Sequence, residues 1–238
     1  GNSEESNYIF KEFIVEPFWG GSKVSLVDDF NFGTCIVKVF DKESNKLIYS
    51  RGYCTLFQEW QNEPEAFKRN RLYEETVNVP LPKTNAIIKI EERDDKNVFK
   101  EIFSIEYDPD NIFITNERRA DYPVYDALVN GDSHEKIDIV IIPDGYTADE
   151  MDKFKEDCNT FVEILGTFDP FKKHIDKFNV RGILAPSLDS GTDVPREDVF
   201  VRTVVDTHFD TFESDRYCMT ESVHKVRDVA SLVPYDQI

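Results

Sequence analysis

The chain has 238 residues, long enough for two domains that each bury a core, and carries 28 Lys plus Arg against 47 Asp plus Glu. A formal charge of -19 sets up a field that repels nucleic-acid phosphates and anionic membrane surfaces, so no nucleic-acid partner is expected. Hydrophobic residues at 40% are too many for a disordered acidic chain, and no apolar run reaches the roughly 18 residues that span a bilayer, so neither disorder nor membrane insertion is expected.

Gly1 and the polar stretch Asn2–Asn7 read as a processed or artificial start, with no basic-then-apolar signal sequence. From Tyr8 to about Ile114 short apolar or alternating runs are separated by turn chemistry: Ile9–Val15, Lys23–Val27, Thr34–Phe40, Lys46–Phe57, Glu74–Val79, Ala86–Glu91, Val98–Tyr107 and Ile112–Thr115. Apart from a short helix near Pro64–Lys68, nothing there has a 3.6-residue period. Seven or eight strands in this span predict an all-β sandwich over residues 1–120.

The runs 34–40 and 46–57 pair as a hairpin about Asp41–Asn45, placing Phe40 opposite Lys46 and Cys35 opposite Arg51. Cys54 then points to the other face, and a Cys35–Cys54 disulfide requires a bulge at Gly52 to change the register. The four cysteines, Cys35, Cys54, Cys158 and Cys218, contain no CxxC pair.

Residues 121–136, within the charged stretch Asn116–Lys136 with Pro123 and Gly131, read as a linker. The remainder, 137–238, follows α/β grammar. Ile137–Ile142 is an apolar run suited to a buried strand, and Pro143-Asp144-Gly145-Tyr146 turns it. Thr147 and Glu150 form a capping box, Met151, Phe154, Cys158, Phe161, Val162 and Leu165 one helical stripe, and Gly166 a stop. Asn179–Ala185 is the next strand, completing a βαβ unit with parallel strands.

A later helix is predicted from about Asp215 to Val233, before Pro234, and Asp236-Gln237-Ile238 resembles the start of another strand. So thin a sheet leaves apolar faces uncovered, so the α/β domain is expected to be incomplete in these residues. The fold class expected is therefore multidomain, an N-terminal all-β sandwich followed by an incomplete α/β domain.

Chemistry-bearing motifs are sparse. The sequence has no H-E-x-x-H, and His134, His174, His208 and His224 are isolated. In a strand, alternation would bring Asp206, His208 and Asp210 to one face as a metal candidate, although a half-solvated strand explains the same residues. Asp189-Ser190-Gly191-Thr192-Asp193 places oxygen donors around a glycine without the twelve-residue calcium pattern, and an ordinary turn is favoured. Neither Ser187 nor Ser190 lies in a G-x-S-x-G elbow, which argues against a serine hydrolase. Asp144-Gly145 follows the carboxyl end of a buried strand, where α/β folds place sites, and equally suits a turn that positions the helix.

Two groups of segments resemble one family. Gly52-Tyr53-Cys54-Thr55-Leu56-Phe57-Gln58-Glu59-Trp60-Gln61 with Pro64-Glu65-Ala66 is similar to the N-terminal domain of bacterial IgA-specific zinc metallopeptidases. Ile137–Thr147, Phe178-Asn179-Val180 and Ser187–Asp193 are similar to the opening of that family's peptidase domain. The resemblance implies the front portion of a secreted or cell-envelope bacterial zinc endopeptidase acting on a protein substrate. Zinc is implied for the full-length protein, held by an H-E-x-x-H helix and a further ligand, none of which can be carried onto this chain. What the resemblance does suggest is substrate handling: the strand Asn179–Ala185 as a rim for an extended peptide, with Ser187, Ser190, Gly191, Thr192 and Asp193 as candidate substrate-binding residues. Plain scaffolding is the competing reading. The other functional class is a noncatalytic protein- or glycan-binding β-sandwich module, favoured by exposure of Trp19, Trp60 and Tyr53 in one patch and opposed by burial of Trp60.

Overall fold

The structure is a computed structural model that describes residues 1–117 and 119–238. Arg118, within the charged stretch expected before the α/β part, lies outside the described residues. The chain divides into two compact units, Gly1–Val15 with Lys23–Asn116 and Glu16–Ser22 with Glu117–Ile238.

The first unit is built on strands β1 (Cys35–Asp41), β2 (Leu47–Tyr53), β3 (Ala86–Arg93) and β4 (Phe99–Tyr107), with a short helix α1 (Leu56–Trp60) between β2 and β3. The strands form one antiparallel sheet in the order β2-β1-β3-β4. One face carries Cys35, Val37, Val39, Tyr49, Ile88, Ile90 and Tyr107, all buried. The other carries cross-strand ion pairs, Lys38 to Glu91 at 2.6 Å and Lys89 to Glu101 at 2.7 Å. Alternation thus produces one dry face, while on the ion-paired face Ile36 and Ser50 are nevertheless buried.

The runs 9–15, 23–27, 74–79 and 112–115 do not form strands among the described residues, apart from the isolated bridge Ile14–Thr115. Most of their apolar residues stay exposed, Ile9, Val24, Ile112 and Phe113 among them, and the segments meet the sheet only at single points. Phe13 packs its ring edge-on to Tyr107 at 5.5 Å, and the Tyr49 hydroxyl reaches the carbonyl of Asn78 at 3.4 Å.

The hairpin forms as expected, but Phe40 stands opposite Leu47, and a register shift between Val39 and Phe40, not at Gly52, sets Cys35 opposite Tyr53. All four cysteines are free, Cys35 being buried and Cys54 exposed beyond the end of β2. The apolar run that starts at Lys46 breaks at Tyr53, because Thr55 caps α1 by accepting from the amide of Gln58 at 3.1 Å. Residues 64–68 are turns, not the expected helix.

In the second unit β5 (Val124–Leu128), β6 (Ile137–Ile141) and β7 (Phe178–Ile183) form a sheet in the order β5-β7-β6. The expected βαβ unit is present: β6 and β7 are parallel and the helix α2 (Met151–Leu165) connects them. The span read as a linker contains β5, which pairs antiparallel with β7. Gly182 lets α2 approach closely, since a Cβ there would lie 2.9 Å from the Phe154 ring.

The opposite sheet face carries the core cluster of Val140, Ile183, Val205, Val229, Leu232 and Tyr235. The last helix, α3 (Val223–Ala230), is shorter than expected, because residues 219–220 are held elsewhere: Met219 pairs with His208, and the Thr220 hydroxyl donates to the Val205 carbonyl. Gln237 makes a parallel bridge to Ile139, with the amide of Val140 donating to its carbonyl at 2.9 Å. Phe161, Ile164, Phe168 and Phe171 remain exposed at the carboxyl end of α2 and just beyond it. The strap Glu16–Ser22 belongs to this unit, where the Tyr235 hydroxyl lies 2.9 and 3.0 Å from the Glu16 carboxylate oxygens. Among the described residues no helix is long and apolar enough to cross a membrane.

Candidate functional site

Parallel strands deliver their carboxyl ends, and the loops that leave them, to one side of the sheet. Here three segments meet there: the turn Pro143–Tyr146 after β6, the loop Ser187–Val194 after β7, and the segment Arg202–Met219. Asp144 is the hub. Its carboxylate accepts from the amides of Val205 at 2.8 Å and Thr207 at 3.2 Å, and from the Thr207 hydroxyl.

Ser187 is a second junction. It is 5% exposed, and its Oγ accepts from the amides of Gly145 at 2.9 Å and Val204 at 3.0 Å, joining all three segments. Gly145 has φ +79, and a Cβ on it would lie 2.2 Å from the carbonyl oxygen of Gly191. Only glycine fits that approach. The contact is fixed by the Gly191 amide, which donates to the Gly145 carbonyl at 2.9 Å.

The five residues singled out by sequence therefore separate. Ser187 is buried and committed to scaffolding, whereas Ser190 and Gly191 are exposed and Thr192 and Asp193 half-buried. Ser190 donates to the Glu150 carboxylate at 3.0 Å, tying the loop to the start of α2. The Thr192 hydroxyl donates to the carbonyl of Thr207 at 2.6 Å, and Asp193 accepts from the amide of Val201 at 2.6 Å. The result is an exposed loop crest, Ser190 and Gly191, on a fixed base.

The rim expected from Asn179–Ala185 is corrected by the sheet order. β7 is central, with β5 on one side and β6 on the other, so its main-chain groups are already paired and it offers no free edge to an extended peptide. The sequence concealed this because β5 sits in the Pro-containing stretch read as a linker.

The metal candidate Asp206, His208 and Asp210 fails on geometry. Asp206 and Asp210 have φ 55 and 63, so the extended alternation that would align the three side chains is broken. Asp206 is ion-paired to Lys225 at 2.5 Å, Asp210 to Arg196 at 2.5 Å, and the His208 Nδ1 lies 2.9 Å from the Phe209 carbonyl. Asp189 and Asp193 do not form a calcium loop either, since Asp189 is held by Arg202 at 2.8 Å and Asp193 by Val201. Among the described residues no group of three or more His, Cys, Asp or Glu side chains is placed to hold a metal ion.

Electrostatics reinforce the scaffold. The Thr147 amide and hydroxyl, with Ser190, hold the Glu150 carboxyl below the usual carboxylate range. Arg202 does the same for Asp189 through hydrogen bonds and charge. For Asp206 burial works upward, but Lys225 and Ser222 together outweigh it and lower the group.

Sequence reasoning missed Thr207 and the junction at Ser187; the paired glycines Gly145 and Gly191 were the available signal. In the first unit, Trp60 is 0% exposed and its indole donates to Glu65 at 2.8 Å, which removes it from any aromatic binding patch.

Residues 1–104 match the family model described as Peptidase M64 N-terminus, and residues 126–238 match the model described as IgA Peptidase M64. No curated protein matches the chain.

Proposed function

The chain belongs to the IgA peptidase M64 family, and from that premise we propose that it is the front portion of a secreted bacterial zinc endopeptidase whose substrates are proteins. The metal ligands are assigned to polypeptide outside these 238 residues, because this sequence holds no H-E-x-x-H segment and, among the described residues, no group of three or more His, Cys, Asp or Glu side chains is placed to hold a metal.

Its contribution is substrate handling at the strand ends. The observation that carries this reading is the loop Ser190–Asp193: its crest is exposed while its base is fixed by Asp144, Ser187 and Thr207. A crest held in this way loses little conformational entropy on meeting a peptide. Ser187 is assigned a scaffolding role, and Ser190, Gly191, Thr192 and Asp193 the peptide contact.

The test is proteolysis of unfolded casein by this chain alone and by the longer gene product that includes an H-E-x-x-H segment. The expected result is chelator-sensitive cleavage by the longer product alone. Cleavage by the 238-residue chain, or chelator-resistant cleavage by the longer product, contradicts the proposal.

A further inference from the structure

Four non-glycine residues in one short segment, Asp206 (φ 55), Asp210 (φ 63), Phe212 (φ 55) and Glu213 (φ 60), occupy the left-handed backbone region. There a Cβ crowds the following carbonyl oxygen; aspartate tolerates this better than phenylalanine or glutamate. Such a concentration of strain persists only where the surroundings over-determine it.

The surroundings do so at three points. Asp206 accepts from the Ser222 hydroxyl at 2.8 Å and from Lys225 at 2.5 Å. Asp210 is held by the Arg196 side chain at 2.5 Å and by its amide at 3.1 Å. Between them His208 pairs with Met219 on one side and with Asp193 on the other, and the amide of Phe209 donates to the Asp193 carbonyl at 2.9 Å. The Thr211 hydroxyl is also buried with no hydrogen-bond partner, a further unfavourable feature of this conformation. Strain is thus stored in a segment whose centre is bonded, main chain to main chain, to the loop assigned to peptide contact.

Resting on that assignment, we propose that Asp206–Glu213 is a sprung clamp: pinned by Arg196 and Lys225, it fixes the position of Thr192 and Asp193, and its relaxation lets that loop shift against a bound peptide. Relaxation in the free chain is local opening, which amide hydrogen exchange reads directly.

The test is hydrogen exchange on the intact 238-residue chain and two surface variants. Glu213→Gly removes one strained Cβ from an exposed residue while keeping the amide, and should slow exchange of the Asp193, His208, Phe209 and Met219 amides together, by roughly fivefold. Arg196→Met removes the guanidinium that pins Asp210 and should speed the same four amides by at least roughly fivefold. Changes confined to Thr211–Ser214, or shifts of opposite sign, overturn the clamp. Because no peptide is present, failure of the peptide-contact reading leaves these rates untouched, so the two ideas fail separately.

Discussion

Replacing Ser187 with alanine distinguishes a scaffold from a contact surface. The Ser187 Oγ accepts two amides, from Gly145 at 2.9 Å and Val204 at 3.0 Å, in a residue that is 5% exposed. Alanine leaves both donors without that acceptor in a site that admits little water, and each orphaned amide costs about 1–3 kcal/mol. With partial relaxation, Ser187→Ala should lose about 2–4 kcal/mol. For a unit of this size that corresponds to a fall in Tm on the order of 5–15 °C. Ser190→Ala removes an exposed hydroxyl that makes a single contact with Glu150, and should stay within about 0.5 kcal/mol of the parent. Urea denaturation, followed by exchange mass spectrometry to assign the loss to the second unit, compares the two variants. A Ser187→Ala loss below about 0.5 kcal/mol, or equal losses at both serines, refutes the reasoning.

Other outcomes follow from the same contacts. Gly145→Ala combines φ +79 with a Cβ 2.2 Å from the Gly191 carbonyl oxygen, and should cost at least about 2 kcal/mol in the same denaturation assay. Gly191→Ala meets no atom within 4 Å and carries only the backbone strain, about 1 kcal/mol. Burial pushes the thiols of Cys35 and Cys158 up to about 11. A thiol-disulfide reagent at neutral pH should therefore titrate only the exposed Cys54 and Cys218 in the native protein, and all four after denaturation. The Glu150 carboxyl is held low by Thr147 and Ser190, so its stabilising contribution is present above the unfolded value near about 4.3 and disappears as pH falls through the folded value. Glu150→Gln should flatten that part of the stability profile between neutral pH and about pH 3; an unchanged acid slope contradicts the assignment.

The βαβ unit was legible because three local signals agree: the apolar run at Ile137–Ile142, the Thr147–Glu150 cap and the Phe154–Cys158 stripe. β5 was not, because it is an edge strand with no fully buried residue, and its exposed positions hold apolar Val124 as well as Asp126, so hydropathy does not mark its inner face. The hairpin was visible but its register was not: the turn, with Asn45 at φ 54, already sets Phe40 opposite Leu47 instead of Lys46, and the shift between Val39 and Phe40 moves the pairing by one more residue. The false helix at Asp215–Ser222 has the right spacing, but the pairing of Met219 with His208 claims that backbone. At the site, residue types pointed to the loop Ser187–Asp193, yet only long-range contacts separate the buried Ser187 from the exposed Ser190.

The most direct test of the substrate-handling assignment is an exchange footprint of this chain with an excess of unfolded casein peptides. The expected result is protection at Ser190–Asp193, retained in Ser190→Ala at reduced strength. Protection confined to the first unit, or no protection at the strand-end loops, contradicts it.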